Sequence, residues 1–216
     1  MAEALAAAGA RVHLLARTAA DLDEAARSIG DAASAHQCDV TDGAALDALI
    51  VELTGAGAVP DIIVNNAGVF PLAPLDTIDV ATFESTVQAN LVAPFRVLRA
   101  FLPAMRARGS GHIITIGSVA DRDIFPGNGA YAASKFGQRA MHETLRVELR
   151  GSGLRASLVS PAATDTSIWD AVDPDNTQGF PKRAEMLRAE DVADAVLWAV
   201  TRPAGVNVDE LRLSAS

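Results

Sequence analysis

Tyr131 is the only tyrosine of the chain, and Lys135, four residues on, is one of its two lysines against sixteen arginines. On a helix, positions i and i+4 share a face, which sets an ammonium beside a phenol. A free phenol titrates near pH 10, and an adjacent cation favours the phenolate. Bringing the phenol to about 7 takes roughly 4 kcal/mol of differential stabilisation, within reach of a partly desolvated pair, and makes Tyr131 an acid/base candidate. Ser118 follows the apolar run His112-Ile113-Ile114-Thr115-Ile116 and Gly117, at the kind of strand end where open α/β sheets bind ligands. It is not a hydrolase nucleophile by pattern: position 116 is Ile, so the G-x-S-x-G elbow is absent, and no histidine stands out as its base.

Asn65-Asn66-Ala67-Gly68 closes the run Ile62-Ile63-Val64, and small residues at such an end let a ligand approach the backbone; an ordinary Asn/Gly turn is the plainer alternative. Asn90 lies within a helical pattern, where a short amide competes for backbone hydrogen bonds and marks either neutral decoration or a kink. His36 and Cys38 would share a strand face, but no third and fourth ligand follows at a useful spacing, so no metal is expected.

These residues need elements to position them. Six short apolar runs read as strands: 11–16, 35–40, 62–65, 112–116, 155–160 and 206–213. Helical patterns lie between them at 19–29, 43–53, 79–106, 130–150 and 189–200, with Pro94 and Pro103 expected to bend or break the longest. Strand–helix alternation with strands this apolar predicts a doubly wound parallel sheet, Rossmann-like, in three α/β/α layers. The stretch 162–182, rich in Asp, Pro, Thr and Gly, is too long for an ordinary connection and reads as a functional loop. One domain over 1–216 suits the length. A net charge of −9 argues against nucleic acid or an anionic membrane as partner. A single cysteine, no apolar run of 18 residues and no leader pattern fit a cytoplasmic chain.

Taken in order, Asn65-Asn66-Ala67-Gly68, Asn90, Ser118 and Tyr131-x-x-x-Lys135 resemble the classical short-chain dehydrogenase/reductase family over nearly the whole chain. The resemblance implies a nicotinamide cofactor and hydride transfer between it and a small-molecule carbonyl or alcohol substrate. It implies Tyr131 as proton donor, Lys135 as the cation that tunes Tyr131 and bonds the nicotinamide ribose, and Ser118 as the hydroxyl on the carbonyl. Asn90 would help hold a proton-relay water through its backbone. Asp39 and Val40 would clamp the adenine, and Asn65 to Gly68 would underlie the adenosine ribose. Pro161 and Thr166 match the family's Pro-Gly-x-x-x-Thr, with Ala162 in place of the glycine. Residues 162–188 become the substrate-binding loop, and a homodimer or homotetramer is expected through the two longest helices.

The first strand ends Ala16-Arg17, with no carboxylate to bind ribose hydroxyls and a guanidinium suited to a 2′-phosphate, so NADP(H) is favoured over NAD(H). The chain carries no G-x-G-x-x-G, and Ala2–Ala8 reads as the end of a helix whose strand and glycine-rich turn would lie upstream. The first βα unit is thus incomplete, and an in-frame extension of about 15–30 residues is expected to complete it. The alternative is a truncated, catalytically silent homologue with a regulatory or scaffold role. The missing strand would be central, so its neighbours should lose ladder hydrogen bonds.

Overall fold

In the computed structural model, which describes Met1–Ser216, every strand pair is parallel. Strands β1 (Val12–Ala16) and β2 (Ala33–Gln37) form one small sheet. Strands β3 (Ile62–Asn65), β4 (Gly111–Ile116), β5 (Leu154–Pro161) and β8 (Glu210–Leu213) form a second, in that order. No ladder joins the two sheets. A third ladder of two-residue strands, β6 (Thr164–Asp165) and β7 (Leu187–Arg188), closes the base of the long loop.

Helices cover both faces. Against one lie α3 (Gly43–Gly55), α5 (Ala93–Arg108) and α6 (Gly129–Glu148), packing Leu46, Leu98, Phe101, Met105 and Leu145 onto Ile63, Ile113 and Ala156, with the lone Cys38 buried among them. Against the other lies α7 (Ala189–Val200), whose Val192 and Val196 meet Ile114, Ile116 and Val159. Helices α1 (Ala2–Ala7) and α2 (Ala19–Ile29) pack on each other and on β1. The alternation of even and odd strand residues between these two cores is the period of two that a sheet covered on both faces requires. No helix is long and apolar enough to cross a membrane.

Two expectations need correction. The helix expected over 79–106 runs on to Arg108 without a break: α4 (Val80–Val87) passes through a π turn at Gln88–Val92 directly into α5. Pro94 follows the π turn directly, so the N–H it lacks is one that would bond the Asn90 carbonyl inside that turn, and Pro103 is exposed inside a continuous helix. The second strand runs over 33–37 rather than 35–40, so Asp39 and Val40 stand in the loop after it.

Candidate active site

Helix α6 starts at Gly129, and its face toward β4 carries Lys135, Gln138, His142 and Leu145, all buried. The Lys135 ammonium, 4% exposed, donates to the Ile116 carbonyl at 2.8 Å and to the Gln138 side-chain oxygen at 2.9 Å. Two acceptors serve three N–H groups, which leaves one donor for a ligand. The ammonium lies 5.7 Å from the centre of the Tyr131 ring. Ile116 ends β4, and Gly117 leads to Ser118, which caps the short turn Val119–Asp121 by accepting from the Ala120 N–H at 3.1 Å. Phenol, ammonium and hydroxyl are thus gathered at the C-terminal edge of the larger sheet.

Burial dominates the electrostatics. It pushes Tyr131 up to about 12, with the Ser118 hydroxyl pulling the other way and the Asp121 carboxylate adding to the rise. It pulls Lys135 down to about 8, against the attraction of Asp121. The expected depression of Tyr131 by Lys135 therefore does not hold in the free protein: desolvation of a phenolate outweighs a cation at this distance. Asp121 is itself wholly buried; one oxygen accepts from the Ser160 hydroxyl at 2.8 Å, and the other faces Arg122 at 3.4 Å.

Asn90 sits in the π turn, fully buried. Its side chain accepts from the Val69 N–H at 2.8 Å and donates to the Val69 carbonyl at 3.0 Å and to Ser134 at 2.9 Å. It therefore ties the loop after β3 to α6. Asn65 ends β3 with its amide nitrogen buried and without a partner, while Asn66, Ala67 and Gly68 are exposed. Asp39 turns back onto Thr41, accepting from its N–H at 2.9 Å and its hydroxyl at 2.7 Å, which holds the carboxyl below its usual range with a smaller contribution from Arg17. Val40 packs on the first core, and Arg17 is exposed past the end of β1. Pro161 ends β5, and Thr166 precedes the turn Ser167–Trp169 on the segment that β6 and β7 pin down.

Sequence reading missed Gln138, Asp121, Ser134 and Phe70, which all touch this site. Gln138 was recoverable, since it stands at i+3 from Lys135 on the same helical face. The other three depend on contacts between distant segments: Asp121 on Ser160, Ser134 on Asn90, and Phe70 on Tyr131, with ring centres 4.7 Å apart.

A family model described as short chain dehydrogenase matches residues 1–177. The chain is 35% identical over 217 residues to glycine betaine reductase ATRR of Emericella nidulans, covering 98% of this chain but only 17% of that protein. It is 34% identical over 206 residues to the sepiapterin reductase of Chlorobaculum tepidum, covering 93% of this chain and 81% of the relative. A solved metagenomic short-chain oxidoreductase in complex with NADP matches with a TM-score of 0.83 at 32% identity, covering 100% of this chain and 90% of that one. With a parallel α/β fold, a tyrosine and lysine one helical turn apart and these matches, the chain belongs to the short-chain dehydrogenase family of oxidoreductases.

Proposed function

We propose that this chain is an NADP(H)-dependent oxidoreductase that interconverts a carbonyl and an alcohol. The observation that carries the reading is the buried Lys135 ammonium, held by the Ile116 carbonyl and set against the Tyr131 ring. A buried ammonium is costly unless it has work to do, and perturbed titratable groups at a sheet's C-terminal edge mark functional sites. The residues present fit a dinucleotide: Lys135 has a free donor, and the orphaned Asn65 amide needs an acceptor.

When bound, the nicotinamide supplies the hydride for reduction or accepts it for oxidation. Ser118 holds the substrate oxygen by hydrogen bonding. Tyr131, neutral well above physiological pH, gives its phenolic proton to that oxygen as negative charge develops there. Lys135 stabilises the resulting phenolate and would bond the ribose through its remaining N–H. Asn90 keeps the loop after β3 in register with α6. Asp39, Val40 and Asn65 to Gly68 would hold the adenosine half, Arg17 its 2′-phosphate, and Pro161 and Thr166 the carboxamide side.

The test is reduction of a panel of small ketones with NADPH and NADH by wild type and Tyr131→Phe. That substitution keeps the ring and its Phe70 contact but removes the proton, so turnover should fall by about 10²–10⁴-fold with the circular dichroism unchanged. Undiminished turnover by Tyr131→Phe would refute the assignment. Equal efficiency with the two cofactors would remove Arg17 as a phosphate reader.

A further inference from the structure

We propose that the aromatic cluster beside Tyr131 takes a neutral carbonyl compound carrying an aromatic or alicyclic ring within a few bonds of the reacting carbon. The proposal rests on the carbonyl–alcohol reading above and goes on to name the substrate class.

Aromatic residues are scarce in this chain, yet five of the ten meet here, brought together from separate segments. Phe70 comes from the loop after β3, Phe125 from the loop before α6, Tyr131 from α6 itself, and Trp169 and Phe180 from the segment between β5 and α7. Four of the rings close a circuit. Ring centres are 5.1 Å apart for Phe70–Trp169, 5.8 Å for Trp169–Phe180, 6.5 Å for Phe180–Phe125 and 6.4 Å for Phe125–Phe70. Tyr131 joins at the Phe70 corner. Every contact is edge to face, with interplanar angles between 66° and 81°.

Each ring presents an electron-rich face or an electron-poor edge, so a ligand ring can replace one of these contacts with another of the same kind. Two of the four rings belong to the body and two ride on the segment whose base is pinned by the β6–β7 ladder. Admission of a ligand ring requires that segment to move outward while the body rings stay in place. Phe125, 37% exposed, marks the side from which a ligand enters. Because Tyr131 stands one ring away from the circuit, a ligand ring held there leaves its carbonyl a short distance off, at the phenol.

The charges around the circuit argue for a neutral ligand. Arg183 is tied to Asp165 at 2.6 Å and Asp170 at 2.7 Å. Lys182 donates to the carbonyls of Pro174 and Asp175, and Arg122 pairs with Asp121 and Glu210. Each of these three cations already faces a carboxylate or a carbonyl, which weighs against a carboxylate or phosphate substrate. A quaternary ammonium is disfavoured for the opposite reason: the Lys135 cation already occupies the neighbourhood of the Tyr131 ring.

The experiment has a binding arm and a turnover arm. Trp198 lies on α7, stacked with Arg202 at 4.7 Å and away from the circuit, so Trp198→Phe leaves Trp169 as the sole tryptophan reporter. Cyclohexyl methyl ketone should change its fluorescence saturably, and pyruvate and butan-2-one should not. With NADPH, wild type should favour cyclohexyl methyl ketone and acetophenone over butan-2-one and pyruvate by roughly tenfold or more in kcat/KM. Phe180→Ala should raise KM for the ring ketones about tenfold and leave butan-2-one within about twofold, with Phe180→Tyr restoring the ring preference. Saturable ring binding weakened by Phe180→Ala, without turnover of any ketone, would support the ring site and refute the reductase reading. Turnover without ring preference, or with pyruvate the best substrate, would overturn this proposal and leave the reductase reading standing.

Discussion

Lys135 carries its charge where charge is costly, and its neighbours decide whether it keeps it. Burial brings its pKa to about 8, and Asp121 opposes the fall. The Gln138 oxygen at 2.9 Å accepts from the ammonium, so it favours the protonated form. Gln138→Leu removes that acceptor at similar volume, and the pKa of Lys135 should fall further. Reduction that needs the ammonium should then fail at lower pH, the alkaline limb of kcat moving acidward by up to about one unit. Gln138→Glu should move the limb the other way. The pH–rate profiles of the two variants check this, and limbs that coincide with wild type would deny Gln138 a positioning role. The pairing of Tyr131 with Lys135 was legible from spacing alone. The direction of the Tyr131 shift was not, because spacing conveys proximity while desolvation depends on what the rest of the chain packs around the pair.

The helix between Asp79 and Gly109 shows what element-level reading can and cannot reach. A proline is visible as a missing donor, but its cost depends on where it falls: Pro94 adjoins the π turn, and Pro103 lies on the exposed side of α5. The π turn is centred on Asn90, visible in the sequence only as an amide out of place. Its side chain makes three buried hydrogen bonds that no local pattern announces. Asn90→Ala leaves the Val69 N–H without its acceptor and loosens the π turn. The expected cost is about 2–4 kcal/mol, read as a lower urea midpoint. A loss below about 0.5 kcal/mol would mean that the turn is held by packing instead.

Across the whole molecule, alternating apolar runs were enough to read a doubly wound parallel fold. Two histidines scattered in the sequence turn out to matter for its stability. His112 bonds Ser157 at 2.8 Å and His142 bonds Thr115 at 3.0 Å, on opposite faces of β4, and burial lowers them to about 3 and about 4. The unfolded chain protonates both near pH 6.5 while the folded one does not, so stability present above that pH is lost as pH falls toward 4 and 3. The loss approaches about 1.4 kcal/mol per pH unit for each histidine. Urea midpoints should therefore drop between pH 7 and 5, and His142→Gln should flatten the drop. A wild-type midpoint that is level over this range would contradict the neutral assignment.

The division of the sheet gives the lone thiol a use as a clock. Cys38 follows β2 and is buried where the small sheet meets the main core, and burial keeps the thiol protonated and slow to react. Because no ladder crosses between the sheets, the β1–β2 piece can part from the body by giving up side-chain contacts alone. A thiol reagent added to the native protein would record each such parting as a covalent adduct at Cys38, and so time the opening of that piece separately from unfolding of the body.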